Sequence, residues 1–281
     1  MIVPGSPQTV AGVAGHYDEL DVAYRRIWGE HVHHGYWRSG RESPPEAADA
    51  LVRLVAERLD LEPGQAVCDI GCGYGATAAD LVARHGVSVL GLTVSAAQEA
   101  VARSREAAGV TFLRRDWLDN RLPDASFDRA YAIESSEHMP DKQRFFDEAY
   151  RTLRPGGQLA VYAWLARPDA RAWEERYLLE PICREGRLPG MGSVDDYRGW
   201  ATGAGFVIDG FEDLSARVRR TWMICARRVA GKLVTHPSYR RFLLDARARN
   251  RVFALSLPRI WIAYVTGSMR YGLLTAHKPI G

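Results

Sequence analysis

The sequence predicts an α/β protein: a Rossmann-like, doubly wound, mostly parallel sheet of seven strands with helical lid insertions. Three observations carry that prediction. Short apolar runs rich in β-branched residues alternate with segments of helical period from residue 66 onward. The first run, Val67-Cys68-Asp69-Ile70, feeds the glycine turn Gly71-Cys72-Gly73-Tyr74-Gly75, and Ala78, Ala79, Leu81 and Val82 at helical spacing follow. Strand, glycine loop and helix in that order present backbone N–H groups to a ligand at the carboxyl edge of a sheet. Finally, 281 residues suffice for one large α/β unit with insertions and are few for two independent ones.

Residues 1–14 read as a loose arm. Tyr17, Leu20, Tyr24, Ile27 and Trp28 fall at helical spacing, which predicts a helix over 17–28 that runs into the aromatic, histidine-rich His31-Val32-His33-His34-Gly35-Tyr36-Trp37. Ser43-Pro44-Pro45-Glu46 is a capping box with proline at the first helical position, so a helix is expected from Pro44 to Leu59 before Pro63-Gly64 stops it. Strands over 66–70, 87–92, 110–114 and 127–133 then alternate with helices over 76–85, 95–108 and 141–153. Gln158–Trp164 is the fifth strand. Ser193 caps a helix to Ala204, Phe206–Phe211 is the sixth strand, and Met269–His277 the last. Residues 1–62 are accordingly expected to form an N-terminal helical lid and 63–165 the ligand-binding core. Residues 166–281 complete the sheet and carry helical capping inserts near 166–192 and 215–266.

Apolar and charged fractions are those of an ordinary soluble globule. Cys68, Cys72, Cys183 and Cys225 form no CxxC pair, which argues against a disulfide framework or zinc site and for a reducing cytoplasm. The N-terminal stretch shows no signal-peptide pattern, and the apolar run 252–265 is broken by Pro258 and Arg259 and too short to span a bilayer. A net charge of +3 hides an asymmetry: residues 214–281 hold 14 Lys and Arg against Asp245 alone. Because those arginines interleave with Trp222, Met223, Ile224, Phe242, Leu243 and Leu244, solvated faces of packed helices account for them better than a nucleic-acid surface. Peripheral contact with an anionic lipid surface stays open, as does the oligomeric state.

Two ligands compete for the glycine loop. Gly71-x-Gly73-x-x-Ala76 fits a dinucleotide fingerprint, but the second strand ends Leu90-Gly91-Leu92-Thr93-Val94-Ser95 without the ribose-binding carboxylate that fingerprint needs. Asp69 at the mouth of the loop repels a pyrophosphate and favours S-adenosylmethionine, which carries an ammonium, a sulfonium and no phosphate. The cluster His31, His33 and His34 lacks carboxylates placed for a hard cation, so no metal is expected.

Further motifs complete the pattern: Gly91-Leu92-Thr93-Val94-Ser95-Ala96-Ala97-Gln98, Glu134-Ser135-Ser136-Glu137-His138-Met139-Pro140-Asp141-Lys142, Leu153-Arg154-Pro155-Gly156-Gly157 and Tyr271-Gly272-Leu273-Leu274-Thr275-Ala276-His277-Lys278-Pro279. Together with the glycine loop and His33-His34-Gly35-Tyr36-Trp37, they make the chain resemble a class I S-adenosylmethionine-dependent methyltransferase of the γ-tocopherol methyltransferase-like group. The resemblance implies that Gly71 and Gly73 touch the cofactor's amino acid moiety with Asp69 near its ammonium. It also implies that Thr93 and Gln98 serve the ribose as neutral partners, and that Tyr17 closes over the cofactor. Asp116 can accept from the adenine amine while Trp117 offers a stacking face, unless Trp117 is an ordinary core aromatic. Glu134 leaves the fourth strand beneath the sulfonium. His138 is the candidate base, or else a pocket wall, and Glu137 either orients it or holds the helix that follows. Tyr36 and Trp37 are expected, with Tyr17, to cover a lipophilic aromatic, indole-like or terpenoid acceptor. C- or N-methylation is favoured, in specialised metabolism. A second enzyme reading places a prenyl diphosphate or lipid on the arginines of 214–251.

Overall fold

A computed structural model of the chain describes residues 1–245 and 253–280. Seven strands form one sheet in the order β3-β2-β1-β4-β5-β7-β6. These are β1 (Ala66–Ile70), β2 (Ser88–Thr93), β3 (Val110–Arg114), β4 (Phe127–Ile133), β5 (Leu153–Ala166), β6 (Val207–Asp213) and β7 (Met269–His277). Strands β1 to β5 are parallel, whereas β7 runs antiparallel to both β5 and β6. β1 lies between β2 and β4, so the chain reverses its winding at the β1/β4 boundary. That boundary is where open α/β sheets bind ligands, at the carboxyl ends of the strands.

Helices α3 (Ala76–His85), α4 (Ala96–Arg103), α5 (Lys142–Thr152) and α8 (Val194–Gly203) cross the two faces. α4 stops at Arg103, short of the expected Ala108, and Ser104 Oγ closes the end on the Val101 carbonyl. β5 begins at Leu153, earlier than expected, because the Arg154-Pro155-Gly156-Gly157 turn itself joins the strand. Aromatic and aliphatic side chains fill both faces. Val67, Leu81, Phe112, Tyr131 and Tyr162 pack on one, and Ile70, Trp117, Phe145, Phe146 and Val161 on the other.

The lid differs from expectation at its start. Residues 1–14 are no loose arm: α1 spans Val10–Ile27, with Thr9 accepting from the Gly12 N–H as its cap, and Ile2 pairs with Met191 in an isolated antiparallel bridge. Asp18 ties α1 to the core by accepting from Ser95 Oγ at 2.5 Å and the Ala97 N–H at 3.0 Å, at the N-terminus of α4 where a negative charge is favoured. α2 (Pro44–Arg58) starts as its capping box predicts, with Glu46 accepting from the Ser43 N–H at 2.7 Å. One insertion, after β5, holds α6 (Ala172–Glu174), a wide turn over Glu175–Leu179 and α7 (Glu180–Glu185). The other, between β6 and β7, holds α9 (Ser215–Val218), α10 (Arg220–Thr235), α11 (Pro237–Leu244) and α12 (Phe253–Thr266). No helix among the described residues is long and apolar enough to cross a membrane.

Candidate active site

A cavity opens at the carboxyl ends of β1, β2 and β4, beneath α1. It is lined by Gly71, Gly73, Leu92, Thr93, Val94, Gln98, Arg115, Asp116, Trp117, Ile133, Glu134, Ser135, His138 and Met139, and closed from above by Val10, Val13, Tyr17 and Val32. Of the expected cofactor residues, Tyr17, Gly71, Gly73, Thr93, Gln98, Asp116, Trp117 and Glu134 therefore meet around one space.

Gly71 shows why the loop needs glycine. Its φ of +87° is left-handed, and a Cβ there would overlap the side chain of Ser135, whose hydroxyl donates to the Ile70 carbonyl. Gly73, at φ +53°, has open space instead: its nearest neighbour would be Gln98 Nε2 at 4.0 Å, so the backbone edge is left for a ligand. The Thr93 hydroxyl donates to Gln98 Oε1 at 2.7 Å, which leaves the amide nitrogen as donor toward the loop. Asp116 accepts from the Leu118 N–H through Oδ1 at 3.0 Å. Trp117 is both wall and core: the ring is 2 % exposed and its N–H is spent on the Phe145 carbonyl at 3.1 Å.

Asp69 does not line the cavity. It is buried one residue inside the strand, behind Gly71, with Oδ2 lacking a hydrogen-bond partner among the described residues. Burial raises its pKa to about 7, against a lowering influence from the Tyr131 phenol. An orphaned buried carboxylate behind an open glycine edge fits the ammonium of S-adenosylmethionine better than any phosphate.

Glu134 ends β4 at φ +52°, an uncommon backbone state for a residue with a side chain. Its carboxylate receives the His34 N–H at 2.7 Å, the Tyr271 hydroxyl at 2.9 Å and the Trp164 indole N–H at 3.2 Å. Burial alone would raise its pKa, but the close approach of the His34 ring and the hydrogen bonds from His34 outweigh that and hold it near 2. Glu134 is ionised at every working pH.

Behind Glu134 lies a second, aromatic chamber lined by Tyr17, Tyr24, Trp28, Val32, Glu134, Glu137, His138, Trp164, Gly186, Leu188 and Trp222. Tyr17, Val32, Glu134 and His138 belong to both spaces. His138 Nε2 lies 2.9 Å from the Tyr17 hydroxyl and Nδ1 lies 3.4 Å from the Arg187 carbonyl, which selects the tautomer with hydrogen on Nδ1 and a lone pair on Nε2. Burial drives its pKa down to about 3, so the ring is neutral. Glu137 forms no hydrogen bond to His138. It turns to β5 and accepts the Trp164 N–H at 2.5 Å, while burial raises its pKa to about 7. Lys142 supports the turn from below, donating to the carbonyls of Ser136, Glu137 and Met139 at 2.8, 2.7 and 2.6 Å.

Tyr36 and Trp37 require a correction, since neither lines the cavity or the chamber. The Tyr36 N–H binds the Ala47 carbonyl and the Trp37 N–H the Arg217 carbonyl. Arg220 packs on the Trp37 ring at 4.8 Å. These residues fasten the lid to α2 and α9, because their backbone donors and ring faces are already engaged there. The chamber's Tyr24, Trp28, Trp164 and Trp222 were not singled out as acceptor residues by their sequence pattern, which is that of buried helix and strand positions. Among the described arginines of 214–251, Arg217, Arg219, Arg220, Arg227, Arg240 and Arg241 are exposed, and none lines the chamber. Arg247, Arg249 and Arg251 lie outside the described residues. No cluster of three or more metal-ligating side chains occurs among the described residues.

Residues 6–236 match the sequence model of the mycolic acid cyclopropane synthetase family. The 27-O-demethylrifamycin SV methyltransferase of Amycolatopsis mediterranei is 32% identical over 277 residues, 94% of this chain and 95% of that protein. The chloroplastic tocopherol O-methyltransferase of Arabidopsis thaliana is 29% identical, over 96% of this chain and 82% of that one. Among solved structures, the [4+2]-cyclase SpnF superposes with a TM-score of 0.83 at 29% identity, covering 99% of each chain.

Proposed function

Because the chain belongs to the mycolic acid cyclopropane synthetase family and is an S-adenosylmethionine-dependent methyltransferase, we propose that it methylates a hydroxyl oxygen of an uncharged, lipophilic natural product held in the aromatic chamber. The observation that carries this reading is the chamber's lining: five aromatic side chains (Tyr17, Tyr24, Trp28, Trp164 and Trp222), two carboxyl groups, one neutral imidazole and no lysine or arginine. An apolar ring system gains from burial against such walls. A diphosphate would meet ionised Glu134 with nothing to compensate it, which weighs against the prenyl diphosphate reading.

Oxygen is preferred here to the carbon or nitrogen that the motifs favoured. The names of the rifamycin and tocopherol enzymes specify oxygen for those proteins. The Nε2 lone pair of neutral His138, at the junction of the two spaces, can receive an O–H; with its pKa held near 3 the ring is a weak base, so it takes the proton only as the new C–O bond makes that oxygen acidic. S-adenosylmethionine, when bound, supplies a methyl group on a sulfonium that leaves without further activation. Gly71 and Gly73 would hold its amino acid end, with Asp69 acting on its ammonium from behind the loop, Thr93 and Gln98 would hold the ribose, and Asp116 with Trp117 the adenine. The acceptor hydroxyl takes the place of the Tyr17 hydroxyl at His138 Nε2, passes its proton there during transfer, and the ring then returns that proton to solvent. Tyr17 and Val32 exclude water above. Alignment in a closed site supplies roughly 7–11 kcal/mol and a base roughly 3–5 kcal/mol, so positioning carries most of the rate.

A matched set of one lipophilic skeleton bearing a hydroxyl, an amine or a diphosphate tests the reading. Turnover with labelled S-adenosylmethionine is expected for the hydroxyl; transfer confined to the diphosphate or the amine would overturn it.

A further inference from the structure

We infer that Trp222 is a positioning residue: its indole N–H locks His34 in the tautomer that turns Nδ1–H toward Glu134 at the wall shared by the cavity and the chamber. The inference rests on the reading that Glu134 faces the cationic cofactor.

The argument is one of donors and acceptors. Trp222 Nε1, on α10, lies 2.5 Å from His34 Nε2. An indole nitrogen only donates, so Nε2 must carry the lone pair. The ring proton then sits on Nδ1, which lies 2.9 Å from Glu134 Oε1 but outside hydrogen-bond geometry, so this contact is electrostatic while the His34 backbone N–H makes the hydrogen bond to that carboxylate. An unprotonated Nδ1 would set lone pair against carboxylate at that distance, which makes the assignment self-consistent. The Tyr264 hydroxyl, 3.3 Å from Nε2, can donate or accept and so does not select a tautomer. Of the two groups at Nε2, Trp222 alone forces the choice.

The consequence spans three parts of the chain. Trp222 comes from the insertion between β6 and β7, His34 from the lid, and Glu134 from the end of β4. The indole ring is 2 % exposed and braced edge-on by Trp28 and Trp164 at centroid distances of 5.9 and 5.4 Å. The other titratable groups around His34 and Glu134 are Tyr17, Tyr24, His33, Glu137, His138, Cys225, Tyr264 and Tyr271. Burial lowers the His33 pKa to about 4 and raises those of Cys225, Tyr264 and Tyr271, so these four stay neutral between pH 5.5 and 8.5. Without the indole donor, nothing at Nε2 forbids hydrogen there, and the other tautomer would set the Nδ1 lone pair against the Glu134 carboxylate.

Nitrogen-15 NMR of histidine-labelled protein at pH 7.5 tests the lock without any substitution. The expected spectrum for His34 shows a protonated Nδ1 and a pyridine-like Nε2; hydrogen on Nε2 overturns the inference. Trp222→Phe adds a functional readout. In the variant the His34 signals are expected to show hydrogen exchanging between Nδ1 and Nε2, and the calorimetric Kd for S-adenosylmethionine at pH 7.5 is expected to rise about tenfold. A variant in which His34 keeps its hydrogen on Nδ1 alone means that Trp222 is packing only. Glu134→Gln separates the underlying reading: unchanged cofactor affinity in that variant refutes the role of Glu134, while the NMR tautomer still reports on the lock.

Discussion

Replacing Asp69 with asparagine should make the ligand-free protein more stable and its cofactor weaker. The carboxyl is 2 % exposed, lacks a partner at Oδ2, and has its pKa raised from 3.8 to about 7 by burial. An acid whose folded pKa lies above its unfolded value contributes stability below the unfolded pKa, and that contribution is lost as pH rises through the folded one. About three pKa units at 1.36 kcal/mol each make the ionised form cost roughly 4 kcal/mol at pH 8. The asparagine amide cannot ionise, so Asp69→Asn should gain roughly 4 kcal/mol over wild type at pH 8 and less than about 2 kcal/mol at pH 5. Urea unfolding of both proteins at the two pH values, without cofactor, measures this. Loss of the buried charge behind the loop should at the same time weaken S-adenosylmethionine binding by about ten- to a hundredfold at pH 8. An equal gain at both pH values would trace the effect to packing, and a variant less stable than wild type at pH 8 would refute the account of Asp69 as a buried, uncompensated charge behind the glycine loop.

Three further substitutions probe the site. His138→Ala should lower kcat by about 10²- to 10⁴-fold with little change in cofactor Kd, read by steady-state kinetics and calorimetry; an unaltered kcat assigns the ring to the wall alone. Gly71→Ala forces a Cβ into Ser135 at φ +87° and should cost about 1–3 kcal/mol in thermal or denaturant unfolding while abolishing cofactor binding. Lys142→Met leaves three buried carbonyls without their donor, so about 1–3 kcal/mol of stability per unsatisfied group is at risk, and kcat should fall through a loosened His138 turn.

Much of the sheet was legible because its strands are short apolar runs bounded by turn residues. β1, α3, β3, β4 and β7 fall at the expected residues, and the glycine turn stands where the winding reverses. The start of α1 was hidden because Gly12 and Gly15 weaken its helical pattern, and its cap, Thr9, lacks the glutamate or glutamine three residues on that completes a capping box. Tyr36 and Trp37 looked like lid aromatics by composition, but sequence does not say which way a ring faces, and their backbone donors settle it toward Ala47 and Arg217. Trp164 and Trp222 sit 58 positions apart on a strand and a helix of ordinary amphipathic pattern, and only folding sets their rings together at 84°. His34 was visible as part of a histidine run. Its link to Glu134, 100 residues away, is a tertiary fact.

Locating the transferred methyl group tests the central claim most directly. Wild-type protein is incubated with trideuteromethyl S-adenosylmethionine and a hydroxylated lipophilic acceptor, and the product is analysed by mass spectrometry and NMR. The account predicts one trideuteromethyl group on oxygen. A label on carbon or nitrogen, or a ring-closed product that carries no label at all, would contradict it.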